Sequence, residues 1–253
     1  RQLLAKRGYR VTVLEQHSVV GGYCTSFRRG GFVFDGGVES ISGLGEKGAV
    51  RFVLKELGYD PDELFVRTRE EYVTGGERIQ IPDDFRSFVD MLCERYPDEA
   101  ENIKRFFEEV EAAYREMHAD VDKTGGAPIP LPLIVKLFGF KSIFDFPKEK
   151  PHFYKWMNKS LKQVLDEFFE NKELKQLLST LTAYLGTSPE ETEAASMLAI
   201  YGYYIDGGYY PKGGSQAFAN LLAKAIEENG GKVLTKRLVE KILVEDGEVV
   251  GVV

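Results

Sequence analysis

Apolar and polar positions change period along the chain, and each change marks an element. Val11-Thr12-Val13-Leu14 is a short β-branched run, the composition of a buried parallel strand, and it stops on an acid, Glu15. Ahead of it Leu3, Leu4 and Ala5 are apolar, Lys6 and Arg7 are cations suited to a helix C-terminus, and Gly8 is a natural cap. The order is helix, glycine, strand, acid, then the pair Gly21-Gly22 followed by Cys24, Thr25 and Ser26. RRGGFVFDGG at 28–37 predicts a turn and strand, and the run from Leu64 to Ile81 predicts a hairpin.

From Asp84 onward the period lengthens to that of helices. One helix is predicted from Asp84 to Tyr96, ending before Pro97. A second opens on Asp98 as N-cap and aligns Ala100, Ile103, Phe106, Phe107, Val110, Ala113, Tyr114 and Met117 on one face. Further helices are predicted at 160–169 and 171–185. Another starts with Ser188 as N-cap, Pro189 in first position and Glu191 completing a capping box, and runs into the tyrosine-rich stretch ending at Ile205. Ser215 is read as the cap of a helix, QAFANLLAKAIEENGG, which carries Leu221, Leu222, Ala225 and Ile226 on one face. KVLT follows as a short parallel strand, and a hairpin turns about Asp246-Gly247.

Composition narrows what these elements serve. At 253 residues the chain is long enough for one large domain or two smaller ones, and a net charge of −7 argues against a nucleic-acid partner. Cys24 and Cys93 lack metal spacing and point to a reducing compartment, hence a cytoplasmic location. His17, His118 and His152 have no partners at ligand spacing, so no metal site is expected, and no apolar run is long enough to span a bilayer. The segment 127–146 is rich in proline, aliphatics and phenylalanine. Three readings of it stand: peripheral contact with a membrane surface, the mouth of an apolar tunnel, or burial among helices.

The candidate chemistry lies at the two ends. A carboxylate closing the second strand of a dinucleotide-binding βαβ unit accepts hydrogen bonds from ribose hydroxyls, which is the place of Glu15. Gly21 and Gly22 let backbone approach a pyrophosphate without a side chain in the way. An ordinary strand and glycine turn explains the same residues. The matching G-x-G-x-x-G is expected about twenty residues before the acid, ahead of Arg1. With a helical start and a strand-like end, the chain reads as part of a longer polypeptide. Gly43 to Gly48 also satisfies G-x-G-x-x-G, but half-polar residues precede it where a working fingerprint needs an apolar strand.

Three islands, VLEQHSVVGGYCTSF at 13–27, GFVFDGGVESISGL at 31–44 and the stretch 207–253, together resemble flavoproteins of the amine-oxidase-like superfamily. Within it they resemble the phytoene desaturase, carotenoid isomerase and retinol saturase branch. The resemblance implies an α/β fold in which a Rossmann-like FAD-binding domain, residues 1–63 and 206–253, carries an inserted, mostly helical substrate domain at 64–205. It implies FAD as cofactor, with Glu15, Gln16, Gly21, Gly22, Thr25 and Ser26 among the contacts. It also places Gly37 and Val38 beside the flavin ring, and Val239, in Val239-Glu240-Lys241-Ile242, with its backbone to the adenine. A hairpin with a glycine bulge is the alternative for the 31–38 stretch. The activity implied is hydride transfer between an apolar, polyene-like substrate and flavin N5; the catalytic residues stay unassigned. Two alternatives carry different functions: a non-catalytic carrier of prenylated partners resembling the Rab GDP-dissociation inhibitors, and a flavin amine oxidase, which needs an aromatic cage. One departure weakens the match, since many relatives carry Arg directly after the glycine pair and this chain has Tyr23.

Overall fold

In a computed structural model, which describes residues 1–74, 76–120, 136, 139 and 141–253, the chain divides into two compact units. The first comprises Arg1–Ile41, Val53–Val66 and Tyr209–Val253; the second comprises Ser42–Phe52 and Arg67–Gly208.

The first unit is organised on a parallel pair of strands. Thr12–Leu14 lies beside Lys232–Leu234 in the register Thr12↔Lys232, Val13↔Val233, Leu14↔Leu234. The helix Ser215–Glu228 leads into the second of these strands and buries Ala219, Ala225 and Ile226. Its exit needs glycine: a Cβ on Gly231 would meet Ile226 Cγ2 at 2.5 Å. Two antiparallel hairpins complete the unit, Ser26–Arg29 with Phe32–Asp35 and Ile242–Glu245 with Glu248–Val252. The second turns through Asp246 and Gly247, both at positive φ, as a tight two-residue hairpin turn requires. Among the described residues the strands make five two-stranded ladders: the parallel pair, three hairpins, and Phe65–Arg67 with Tyr209–Pro211, which are far apart in sequence.

The second unit is helical, with a Glu71–Thr74 and Glu77–Gln80 hairpin at its start. Helix Ala100–His118 buries Ile103, Phe106, Phe107, Val110, Ala113 and Tyr114, the 3-4 spacing of an amphipathic helix. Phe106 is wholly buried and packs on Phe107, Trp156, Phe168, Phe169 and Tyr201. Helix Leu161–Phe168 opens on a full capping box from Ser160 and Gln163.

Three helix starts differ from expectation. Pro97–Glu99 forms a single 3₁₀ turn, and the long helix begins at Ala100 behind Glu99, not behind Asp98. The buried Glu99 carboxylate turns instead to another segment and accepts from the N–H groups of Glu170 and Asn171 at 2.9 and 2.8 Å. Ser188 and Glu191 make a closed turn, and the helix starts later, at Ala194. Backbone bonds from Leu161 and Lys162 to Thr192 and Pro189 hold that turn against the 160s and prevent its continuation. Ser215 is the first helical residue and Gly214 the cap. Most of 127–146 lies outside the described residues; Lys141–Glu149, at its end, is helical.

Candidate functional site

Glu15 extends the parallel ladder by one residue, its N–H donating to Leu234 O at 2.9 Å. Its own carbonyl accepts from Arg237 N–H at 2.9 Å, and one carboxylate oxygen accepts from His17 N–H at 2.7 Å. The carboxylate therefore sits, half-buried, at the C-terminal edge of a parallel strand, the side on which open α/β sheets bind ligands. Gln16 beside it is exposed. Lys236 N–H donates to His17 O at 2.8 Å, so the 236–239 stretch runs alongside, with Val239 two residues beyond Arg237.

A second group forms around the glycine pair. Gly21 and Gly22 both have positive φ, and a 3₁₀ turn runs from Gly22 to Cys24. The two glycines are needed for different reasons. A Cβ on Gly21 would meet Ala219 Cβ at 2.9 Å, so Gly21 lets the loop lie on the 215–228 helix. Gly22 has open space around it, with Tyr23 89 % exposed next to it. Thr25 Oγ1 donates to Gly22 O at 3.0 Å, and Thr25 O accepts from Gly36 N–H at 2.7 Å. Gly37 lies against Tyr23, and Val38 is half-buried beyond it. Gly21, Gly22, Thr25, Ser26 and Gly37 are thus brought together, whereas Glu15, Gln16 and Val239 form a separate edge of the same unit.

The centre of the second group is a residue that sequence reasoning missed. Asp35 accepts from the hydroxyls of Ser26 and Tyr210 and, at 3.2 Å, from Ser215 N–H. Burial pushes its pKa up, but the hydrogen bonds from Ser26, Tyr210 and Ser215 outweigh this and hold the carboxyl below its usual range. The same bond pushes the Tyr210 hydroxyl up. Burial, and then the Asp35 charge, raise the Cys24 thiol, so Cys24 is protonated near neutral pH.

Comparison with known proteins decides what this arrangement belongs to. The family described as flavin containing amine oxidoreductase matches residues 1–253. The chain belongs to that family. Among curated relatives, the all-trans-retinol 13,14-reductase of Rattus norvegicus is 30 % identical over 253 residues, 96 % of this chain and 40 % of the relative. A 4,4'-diapophytoene desaturase of Methylomonas is 26 % identical over 99 % of this chain and 47 % of its own length. Prolycopene isomerase 1 of an Oncidium hybrid is 25 % identical, over 98 % and 42 %. The chain spans about 40 to 47 % of the length of these relatives. A solved oxidoreductase from Methanosarcina mazei shares the fold, with TM-score 0.63 and 19 % identity over 100 % of this chain and 51 % of that one. A putrescine oxidase triple mutant does so at TM-score 0.57 and 18 % identity, over 95 % and 48 %. The fold is therefore that of the flavin-dependent oxidoreductases, mixed in helix and sheet, and FAD is the family's cofactor.

The residues present fit such a group. Gly22 offers backbone with no atom over its Cβ position, and a Cβ on Gly36 would press on Thr25 O at 3.0 Å. Both are marks of a loop shaped for close approach by a ligand or by its own backbone.

The other glycine motif of this family member has a local explanation. A Cβ on Gly48 would stand 2.1 Å from Gly43 O, and one on Gly45 would stand 2.2 Å from Asp206 Cγ. Gly43 O accepts from Val50 and Arg51 N–H at 3.0 and 3.1 Å. The loop closes on itself.

In the second unit a cavity of about 460 Å³ is lined by Glu109, His152, Lys155, Lys159, Glu167 and Trp156, among others. Lys159 pairs with Glu167 at 2.8 Å and Lys155 with Glu109 at 3.3 Å, while His152 Nδ1 lies 2.9 Å from a Glu109 oxygen, and this is no apolar tunnel. The tyrosines at 201–210 divide: Tyr201 and Tyr204 are core, while Tyr210 belongs to Asp35. Tyr204 shares a 2.6 Å bond with Tyr72, Tyr201 donates to Leu178 O at 3.0 Å, and Tyr203 stacks on Tyr184. Among the described residues no helix is long and apolar enough to cross a membrane, and no group of His, Cys, Asp and Glu is placed to hold a metal.

Proposed function

We propose that the chain is the FAD-holding and part of the substrate-holding portion of a flavin-dependent oxidoreductase that acts on an apolar, polyene-like substrate. The observation that carries this reading is the set of relatives. A retinol reductase, a prolycopene isomerase and a diapophytoene desaturase carry out different reactions on one class of substrate, the conjugated or conjugatable polyene. Residues 1–63 and 206–253 form the Rossmann-like FAD part, and 64–205 the inserted helical substrate part. In support, Glu15, Gly21, Gly22, Thr25, Ser26, Gly37, Val38 and Val239 all fall in the first compact unit.

Bound FAD supplies the two-electron chemistry at N5. The chain supplies position and surroundings. Glu15, with Gln16 next to it, accepts from the ribose hydroxyls; Gly21 and Gly22 bring backbone N–H groups to the pyrophosphate; Gly37 and Val38 line the ring; Val239 gives its backbone to the adenine. With Tyr23 in place of a cation after the glycines, phosphate charge is met by these N–H groups or by Arg28 or Arg29. A substrate without polar groups suits a second unit in which the Tyr72, Tyr201 and Tyr204 hydroxyls are already bonded, since a sugar or amino acid needs convergent free polar residues. A cytoplasmic location with peripheral membrane contact through 127–146 goes with such a substrate.

The test is the redox response of the bound flavin in the full-length protein, kept anaerobic, to a panel of polyenes, amines and amino acids. A spectral change with polyenes is expected. A change with a small polar amine, and none with any polyene, overturns the substrate class. Within the same protein, Glu15→Ala removes one or two charge-assisted hydrogen bonds of roughly 1.5–3 kcal/mol each, so FAD affinity falls about tenfold or more.

A further inference from the structure

Asp35 ends the second strand of its hairpin, directly before Gly36-Gly37. Its carboxylate is shared by segments 9, 175 and 180 residues away, through Ser26, Tyr210 and Ser215. Around it Gln216 N–H donates to Ser26 Oγ at 3.2 Å, and Ser26 N–H donates to Gln216 Oε1 at 3.3 Å. Gln216 Nε2 donates to Val20 O at 2.8 Å, next to the glycine pair. Ser215 is fully buried at the centre of the network.

A helix start needs only a local Ser, Thr, Asp or Asn to satisfy its first N–H groups. Here the cap position is Gly214, at φ 89° and ψ 169°, and it makes no side-chain cap bond. The acceptor comes from a strand far away in sequence, and its negative charge suits the positive end of the helix. Two consequences follow. The N-terminus of the 215–228 helix is filled by a protein carboxylate and is no seat for a phosphate. The 36–38 turn cannot shift without unpairing the helix start.

We propose that Asp35 is a positioning residue: it locks the Gly36–Val38 turn and the Gly21–Ser26 segment onto one helix, and so fixes the backbone that faces FAD. Gly21 reinforces the lock from below, lying on Ala219 of the same helix. Asp35 acts through the loops it holds, and does not itself touch the cofactor. The inference rests on the reading that the first unit holds FAD.

Two measurements separate the lock from its consequence. The first is amide hydrogen exchange at Gly36, Ser215 and Gln216 in the protein without FAD. The second is the FAD dissociation constant and the visible circular dichroism of the bound flavin in the full-length protein. Asp35→Ala is expected to speed exchange at Ser215 and Gln216 by about tenfold or more, the result of leaving a charged acceptor's partners unpaired. FAD affinity should fall in parallel and the flavin dichroism change, with Asp35→Asn intermediate because it keeps one acceptor oxygen. Tyr210→Phe, which removes one donor and keeps the ring, should shift both readings in the same direction by less. It carries the test together with Asp35→Asn if Asp35→Ala does not fold. Unchanged exchange in Asp35→Ala overturns the lock. Faster exchange with FAD affinity and dichroism unchanged overturns the positioning role while leaving the FAD reading intact. A wild-type protein that takes up no FAD overturns both.

Discussion

Phe106, in the helical unit, is wholly buried, and five other aromatic rings surround it. In the first unit Phe27, Phe32 and Phe34 stand 53, 70 and 47 % exposed, and Val249, Val250 and Val252 are exposed as well. The helical unit is specified by what it buries. The first unit is specified by where its backbone and polar groups must go: a parallel pair, a remote carboxylate cap, and glycines at positions a side chain would spoil. Mutations should therefore read out differently in the two units, as lost stability in one and as altered cofactor binding in the other.

The largest expected effect is in the helical core. Phe106→Ala should cost about 3–5 kcal/mol, the usual range for truncating a fully buried aromatic whose site cannot collapse. Chemical denaturation followed by the near-UV signal of Trp156, which packs on Phe106, measures it. A loss below about 1 kcal/mol would mean that the core is plastic and the contrast between the units is overstated.

Next is Glu99, a buried charge with a structural task. Burial works against its ionised form, but the side chain of Asn102 and the N–H groups of Asn171 and Glu170, with Lys175 nearby, hold its pKa below the usual range. Glu99→Ala leaves two N–H groups without their acceptor and should cost about 3 kcal/mol at neutral pH. The sign of the pH dependence follows from the depressed pKa. The stabilisation is fully present above the unfolded value, about 4.3, and is lost as pH falls through the lower folded value. Wild-type stability should drop across that interval by more than that of Glu99→Gln, and equal slopes in urea titrations would show that the Glu99 charge does not set the acid dependence.

The two glycine motifs give a paired test of about 2 kcal/mol. Gly48→Ala forces a Cβ to 2.1 Å from a backbone oxygen, so it should destabilise by about 1–3 kcal/mol and leave FAD affinity unchanged. Gly22→Ala meets no neighbour and suffers only its left-handed φ of 56°, roughly 1–2 kcal/mol, while FAD affinity falls. The reverse pattern would move the phosphate contact to the 43–48 loop.

What could be read from the sequence is what is local. The Thr12–Leu14 strand with Glu15 at its end, the helix of the 160s and the buried face of the 100–118 helix each rest on spacing within a few residues. The Asp35 network was not legible, because its partners lie up to 180 residues away and no spacing links them. The same limit explains the helix starts. Asp98, Ser188 and Ser215 are good local caps, but tertiary bonds to Glu99, Thr192 and Asp35 decided where the helices begin. Local propensity loses where a distant polar group satisfies the backbone better.

The smallest expected effect tests the difference between the two units most directly, because it uses the same residue type. Phe34 stacks on its cross-strand neighbour Phe27 at 5.4 Å between ring centroids, in a two-stranded hairpin open to solvent on that face. An exposed cross-strand aromatic pair contributes about 0.5–1 kcal/mol, and little cavity forms when one ring is removed. Phe34→Ala should therefore lower stability by no more than about 1 kcal/mol, several-fold less than Phe106→Ala. The neighbouring Asp35 is held by Ser26, Tyr210 and Ser215 from the other face of the strand, so its bonds should persist. Amide exchange at Ser215 measures this independently of global stability. A loss for Phe34→Ala comparable to that for Phe106→Ala would show that the exposed face is covered in the working protein, and that the two units are stabilised in the same way after all.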